Sequence, residues 1–175
     1  MRTSMRMQNY DYTNTGYYFV TICTKDRVWS FGEIRDATMY LSEIGIVAEE
    51  CIRQIPNHYP LVNIDTFVVM PNHVHMIIDI SGHDAPITCQ ERAQDVAPLR
   101  PRVLSQSLGA IVRGYKMGVT KIFREKYPFV DLWQRNYHER IIRDEQERER
   151  IQKYIQNNPT AWQKDILFAP NAKNA

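Results

Sequence analysis

Four stretches of the chain have the residue pattern of β-strands. They are rich in β-branched and aromatic residues or alternate between apolar and polar positions, and they span residues 17–24, 63–69, 73–80 and 132–142. Pro71 and Asn72 separate the second stretch from the third, which fits a hairpin turn. The pattern therefore predicts four strands, with the middle two adjacent in the sheet.

Apolar residues at a period close to 3.6 predict three helices, over residues 38–55, 104–123 and 144–158. Pro56 and Pro159 mark the ends of the first and the last. Asp144, followed three positions later by Glu147, is typical of a helix start. The order β-α-β-β-α-β-α predicts an α+β fold, in which helices pack on one face of an antiparallel sheet, as in RRM-like and ferredoxin-like proteins.

The length of 175 residues fits a single domain covering positions 1–175. Residues 81–102 lack periodicity and contain several prolines, so we expect a mobile surface loop there. No apolar run approaches the roughly 18 residues of a membrane span, and the N-terminus lacks the apolar core of a secretion signal, so we expect a cytoplasmic protein without a membrane partner. The three cysteines form no CxxC pair, which argues against a structural zinc site or a disulfide framework.

Positive charge is concentrated in one part of the chain, although the net charge is only +2. The cluster comprises Arg100, Arg102, Arg113, Lys116, Lys121, Arg124 and Lys126. Such a cluster fits either a nucleic-acid contact or an ordinary solvated helix face, and the sequence leaves both open.

Two histidines occur on one side of the third predicted strand. Because side chains alternate along a strand, His73 and His75 share a face with Asp79, whereas the other face is entirely apolar. Two imidazoles at this spacing stand about 6–7 Å apart and can converge on one ion. Histidines that face solvent or are satisfied within the core are the competing interpretation.

The last predicted helix carries a tyrosine and an amide on its inward face. Tyr154 and Asn158 are four positions apart and share a face with Ile151 and Ile155. An amide at the end of an apolar stripe needs a partner, either a metal ion or a backbone group at the helix end. A core tyrosine is the alternative interpretation of Tyr154.

Several segments together resemble the single-tyrosine HUH transposases, in the branch of REP-associated tyrosine transposases. The sequence Pro71-Asn72-His73-Val74-His75 is similar to the HUH motif, and Tyr154-Ile155-Gln156-Asn157-Asn158-Pro159 is similar to the tyrosine-helix motif. The remaining similar segments are Gly16-Tyr17-Tyr18-Phe19-Val20-Thr21, Trp133-Gln134-Arg135-Asn136-Tyr137 and Ile142-Arg143. The resemblance covers about residues 15–162 and implies the HUH endonuclease fold.

The resemblance also implies a function: a metal-dependent endonuclease and strand transferase for single-stranded, hairpin-forming DNA. Tyr154 would be the nucleophile that forms a 5′-phosphotyrosine, and His73, His75 and Asn158 would hold Mg²⁺ or Mn²⁺. Many family members carry glutamine where this chain has Asn158, and Asp79 is a fallback ligand if the strand bends. Relatives act as monomers or as dimers, so a homodimer stays open.

For DNA binding we expect phosphate contacts from the basic helix and stacking by aromatic residues near the last strand. The predicted contact residues are Arg113, Lys116, Lys121, Arg135, Arg143, Trp133 and Tyr137. Two alternatives remain: a non-catalytic RRM-like nucleic-acid-binding protein, and a metal-dependent phosphoesterase that forms no covalent adduct. No HExxH, P-loop, GxGxxG or GxSxG motif occurs, which removes several other enzyme classes.

Overall fold

A four-stranded antiparallel sheet with the order β4-β5-β1-β6 forms the centre of the molecule. The structure is a computed structural model, and it describes residues 16–80 and 107–168. The strands of this sheet are β1 (Tyr17–Cys23), β4 (Asn63–Met70), β5 (His73–Asp79) and β6 (His138–Ile142). A separate hairpin consists of β2 (Gly32–Arg35) and β3 (Thr38–Leu41).

The helices are α1 (Glu43–Arg53), the short α2 (Ile55–His58), α3 (Leu108–Lys126) and α4 (Glu145–Asn157). Two 3-10 turns, Lys25–Arg27 and Trp162–Lys164, follow β1 and α4. Side-chain caps begin the three longer helices, because Ser42, Ser107 and Asp144 each accept a hydrogen bond from the first turn.

The two faces of the sheet are covered by different helices, and this separates the main core from the histidines. Residues of α1 and α3 pack on the face formed by Tyr18, Val20, Ile22, Val74, Met76 and Ile78. On the opposite face α4 contributes Ile155 to a small cluster with Ile77 and Ile142. The predicted α+β architecture with helices packed on an antiparallel sheet is confirmed. The prediction that the helices share one face is wrong for α4, which lies on the face opposite to α1 and α3.

Several predicted boundaries are wrong. Pro56 does not end the first helix but lies within α2, and α3 continues past residue 123 to Lys126. Residues 38–41 form β3, which pairs with β2, and not the predicted first turn of a helix. Helix α1 begins only after its N-cap residue Ser42. The strand predicted over residues 132–142 is limited to β6, apart from one bridge between Thr24 and Trp133. The backbone carbonyls of Gln134 and Asn136 instead accept hydrogen bonds from the ammonium group of Lys116. The predicted loop over residues 81–102 lies outside the described residues, and the single-domain assignment stays a prediction.

Candidate active site

His73 and His75 lie on the α4 face of β5 and are almost completely buried, at 0% and 3% exposure. Their neighbours across the strand pair are Cys23 and Thr21 of β1. The two imidazole rings approach each other with their centroids 4.4 Å apart. The sheet therefore brings both rings together beneath α4, as their alternation in the sequence predicts.

The side chain of Asn72 determines which nitrogen of His73 carries the proton. Its amide nitrogen donates to the backbone carbonyls of Arg27 and Leu167, at 3.3 and 3.0 Å. The amide oxygen then faces His73 Nδ1 at 2.8 Å and can only accept, so Nδ1 must donate. His73 Nε2 therefore carries no proton and keeps its lone pair. This buried atom has no hydrogen-bond partner within residues 16–80 and 107–168.

His75 is held in a similar way by Thr21, whose Oγ1 lies 2.8 Å from Nδ1. A proton on Nδ1 lets the ring donate to this hydroxyl and leaves Nε2 as an acceptor. Nε2 lies 3.3 Å from the hydroxyl oxygen of Tyr154. Both histidines thus direct their Nε2 atoms toward the same space.

Burial keeps both imidazoles neutral. It lowers the pKa of His73 well below its usual value, and the nearby His75 and Arg27 act in the same direction. Burial also lowers the pKa of His75 to about 4, against an opposing effect of Asp165. Neutral imidazole is the form that binds metal ions, so at neutral pH neither ring would need to lose a proton before coordination.

Tyr154 on α4 is the tyrosine next to these rings. Its hydroxyl oxygen lies 3.3 Å from His75 Nε2 and 3.3 Å from a carboxylate oxygen of Asp165. The side chain is partly open to solvent, at 43% exposure. Burial raises the pKa of Tyr154, the charge of Asp165 raises it further, and a hydrogen bond with Asn158 acts in the opposite direction. The phenol is therefore protonated at neutral pH and needs help to act as a nucleophile.

Asn158 follows α4 directly and is buried at 2% exposure. Its amide nitrogen donates to Asp165 Oδ2 at 2.9 Å. This contact fixes the orientation of the amide, and Oδ1 is then a buried acceptor with no partner in the described part of the chain. An unpaired amide oxygen of this kind is a suitable ligand for Mg²⁺ or Mn²⁺.

Asp165 was not predicted from the sequence. One of its carboxylate oxygens and one nitrogen from each of His73 and His75 all lie within 4.8 Å of one another, which is compatible with a metal site. The carboxylate is held by the backbone N–H of Leu167, at 2.6 Å from Oδ1. Asp165 lies seven positions after Asn158 beyond the end of α4, and no periodicity in the sequence marks it. Asp79, the fallback ligand, pairs with Tyr17 at the opposite end of β5 from His73.

The segment that carries Asp165 is packed over the histidines by aromatic contacts. The ring of Trp162 lies 5.9 Å from that of His73 and 5.8 Å from that of Trp29. Trp162 is itself buried at 4% exposure. This packing holds Asp165 close to the two rings.

Two basic cavities collect most of the residues predicted to contact DNA. A cavity of about 740 Å³ along α3 is lined by Arg113, Lys116, Lys121, Arg124 and Tyr137, among others. A second cavity of about 720 Å³ contains Trp133 and Arg135 together with Lys25, Arg27 and Arg124. Asp26 and Asp131 also line it, and Asp131 pairs with Lys25. Arg124 and Thr120 line both cavities, so they adjoin along α3. Arg27 lines the second cavity, and its backbone carbonyl accepts a hydrogen bond from Asn72, the neighbour of His73 in the sequence.

Two of these predicted residues have internal roles that the sequence did not indicate. The ammonium of Lys116 donates to the carbonyls of Gln134 and Asn136 at 2.9 and 2.8 Å, and burial lowers its pKa to about 8. The indole of Trp133 donates to the carbonyl of Lys116 at 3.2 Å. Both side chains therefore hold the segment 133–137 against α3. Arg143 lines neither cavity and lies between β6 and α4.

Comparison with known proteins gives two related sequences from Haemophilus influenzae. One is an uncharacterized protein, 42% identical over 170 residues, which are 95% of this chain and 93% of the relative. The other is a candidate REP-associated tyrosine transposase, 28% identical over 155 residues, which are 87% of this chain and 76% of the relative. No family model matches the sequence.

Among solved structures, a REP-associated tyrosine transposase bound to a REP hairpin has the same fold. The alignment has a TM-score of 0.59 and 15% identity, and it covers 99% of this chain and 95% of the other. Within the described residues, no helix combines the length and the apolar character needed to cross a membrane.

Proposed function

The chain belongs to the REP-associated tyrosine transposases, a branch of the HUH transposases, and on this premise we propose that it cleaves and rejoins single-stranded DNA through a 5′-phosphotyrosine at Tyr154. One observation carries the proposal: the Tyr154 hydroxyl lies 3.3 Å from His75 Nε2, beside two buried acceptors that lack partners among the described residues. The relative of known structure is bound to a REP hairpin. We therefore propose hairpin-forming single-stranded DNA as the substrate.

The donor set fits a divalent cation such as Mg²⁺ or Mn²⁺. His73 and His75 would bind through Nε2 and Asn158 through Oδ1, since the other polar atoms of all three side chains are engaged in hydrogen bonds. Asp165 supports this set by orienting Asn158, and its carboxylate is also close enough to the rings to serve as a ligand. When bound, the ion would neutralise charge on the scissile phosphate and orient it for in-line attack.

Tyr154 must lose its phenolic proton during the attack. The carboxylate of Asp165, 3.3 Å from the hydroxyl oxygen, is placed to accept it, because His75 Nε2 would be occupied by the ion. The tyrosine oxygen then forms a bond to phosphorus while the bond from phosphorus to the 3′-oxygen breaks, and the departing oxygen takes up a proton. A 3′-hydroxyl can later attack the phosphotyrosine, which rejoins the strand and returns the phenol without an external energy source.

The two basic cavities provide a path for the DNA strand toward the site. Arg113 and Lys121 line the cavity on α3. Arg135 and Arg27, whose carbonyl accepts a hydrogen bond from Asn72, line the adjoining cavity. Cationic side chains along such a path bind the phosphate backbone irrespective of sequence. We propose that the strand passes from the first cavity through the second to His73.

The test is a covalent adduct assay with a 3′-labelled, hairpin-forming single-stranded DNA from the flanks of the gene, in Mn²⁺ or Mg²⁺. Wild-type protein is expected to retain the label on a denaturing gel, because the 5′ end of the labelled fragment becomes attached to Tyr154. Y154F and the double variant H73A/H75A are expected to give no adduct. Y40F is the matched control, since Tyr40 is an exposed tyrosine of β3 that lines neither basic cavity.

The other outcomes separate the alternatives. Adduct that persists in Y154F would transfer the nucleophile to another tyrosine. Metal-dependent cleavage without any adduct would indicate a phosphoesterase. Tight DNA binding without cleavage or adduct would indicate a non-catalytic nucleic-acid-binding protein.

A further inference from the structure

Asp65 occupies an irregular position in β4, on the edge of the sheet. Ile64 pairs with Ile78 of β5 and Thr66 pairs with Ile77, so Asp65 is an extra residue in a β-bulge. A bulge leaves one residue out of the ladder and changes the direction of its side chain. Here the side chain contacts α4, which covers the histidine face of the sheet.

The carboxylate of Asp65 binds two side chains of α4 at once. Arg148 donates to its two oxygens from Nε and Nη2, at 3.1 and 3.4 Å. Gln152 Nε2 lies 3.1 and 2.8 Å from the same two oxygens. The side chains of Asp65 and Arg148 are only 15% and 25% exposed, and the guanidinium of Arg148 also lies 4.6 Å from the centre of the Tyr17 ring. This group is more buried than a surface ion pair, which contributes little.

The apolar packing of α4 is too limited to determine its position along the sheet. Ile155 is the one hydrophobic side chain of α4 that is fully buried, and Ile151 packs beside it only partly buried. Apolar burial is non-directional, so a small cluster of this kind tolerates sliding of the helix. The hydrogen bonds to Asp65 are directional, as is the ion pair between Glu147 in the first turn of α4 and Arg140 of β6. Those to Asp65 attach α4 at Gln152, two positions before Tyr154.

We propose that Asp65 is a positioning residue for the reaction: through Arg148 and Gln152 it holds α4 so that the Tyr154 hydroxyl lies beside His75. This inference rests on the proposed strand-transfer function. We call the contacts of Asp65 with Arg148 and Gln152 the clamp. A displacement of about 1 Å of an attacking group can reduce a rate by about 100-fold, and loss of the clamp is expected to have an effect on this scale. Asp65 itself contacts neither Tyr154 nor the histidines in any hydrogen bond within the described segments.

The test compares D65A with wild type in single-turnover adduct formation at saturating DNA and Mn²⁺. D65A is expected to form adduct roughly 10- to 100-fold more slowly, with DNA and Mn²⁺ affinities within about twofold of wild type. E145Q is the matched control, because it removes the other, exposed partner of Arg148 and leaves Asp65 in place. An adduct rate of D65A within about twofold of wild type would overturn the proposal.

A double-mutant cycle tests whether the rate losses in D65A and R148A have one common cause. If Asp65 and Arg148 act together, D65A/R148A is expected to be no slower than the slower single variant. Multiplicative losses would instead mean that the two residues act independently, and this would overturn the proposal. Should D65A fail to fold, D65N replaces it, since asparagine keeps the size and loses the charge.

Hydrogen exchange of α4, measured without DNA or metal, tests the clamp apart from the function. D65A is expected to exchange faster than wild type in α4 and at an unchanged rate in α3. If wild type forms no adduct, the proposed function fails, and the exchange data alone then decide about the clamp. Unchanged exchange in α4 would overturn it.

Discussion

The two buried histidines should make the metal-free protein lose stability at mildly acidic pH. His75 has a pKa of about 4 in the folded chain because of burial, compared with about 6.5 in an unfolded chain. At pH 5.5 the unfolded state binds this proton and the folded state does not. The stability that depends on neutral His75 is therefore fully present above pH 6.5 and is lost as the pH falls from 6.5 toward 4.

The size of the loss follows from the protonation of the unfolded chain. At pH 5.5 a histidine with a pKa of about 6.5 is about ten-elevenths protonated, which lowers the free energy of the unfolded state by about 1.4 kcal/mol. His75 should therefore cost about 1.4 kcal/mol of folding free energy between pH 7.5 and 5.5. His73 adds to this loss, since burial lowers its pKa in the same direction.

The measurement is urea unfolding at pH 7.5 and 5.5 in the presence of a chelator, for wild type and for H73Q/H75Q. Over this interval the double variant is expected to lose less folding free energy than wild type, and the difference is at least about 1.4 kcal/mol. H138Q replaces an exposed histidine of β6 and serves as the control. An equal loss in wild type and H73Q/H75Q would refute the assignment of two buried neutral imidazoles.

Two further predictions concern the metal and the DNA. D165A should weaken Mn²⁺ binding about 10- to 100-fold, because Asp165 orients Asn158 and faces the histidines. Electron paramagnetic resonance measures the affinity, with D131N as a control at an exposed position. Unchanged Mn²⁺ affinity in D165A would exclude Asp165 from the site. R113A/K121A should weaken single-strand binding and reduce the slope of log affinity against log salt by about 1 to 1.5. K126A should leave that slope unchanged, because Lys126 lines neither cavity and pairs with Glu43. Equal slopes in R113A/K121A and wild type would remove the cavity on α3 from the DNA path.

The regular parts of the fold could be predicted from local pattern, and the errors occur where a distant group competes for the backbone. Strand β5 and helix α3 follow the predicted alternation and periodicity, because each has one face against the main core. Leu41 continues the apolar spacing of α1, yet residues 38–41 pair with β2. Beyond the bridge at Trp133, the carbonyls of Gln134 and Asn136 bond to Lys116, which lies 18 to 20 positions away in the sequence. Neither the pairing with β2 nor the contact with Lys116 is indicated by the sequence of the few residues around the affected segment.

The candidate site likewise contains residues that local sequence pattern predicts and residues that it does not. His73, His75, Tyr154 and Asn158 carry the sequence motifs, and the structure brings them together, although their roles stay predictions. Asp165 and Asp65 could not be found in this way. Asp165 reaches the rings because an irregular segment folds back on Trp162, and Asp65 reaches α4 because of a single bulge in β4. Both depend on tertiary contacts that the sequence does not encode locally.

The hydrogen bonds around the histidines also explain why a strand contains two imidazoles so close together. Asn72 and Thr21 satisfy the Nδ1 atoms, whereas His73 Nε2 and Asn158 Oδ1 are buried without partners among the described residues. An unsatisfied buried polar group costs about 1–3 kcal/mol, so such an arrangement opposes folding unless a ligand compensates for it. Protons are poor candidates, because burial lowers the pKa of both rings. A divalent cation would accept lone pairs from nitrogen and oxygen at once, and its binding would account for both unpaired atoms.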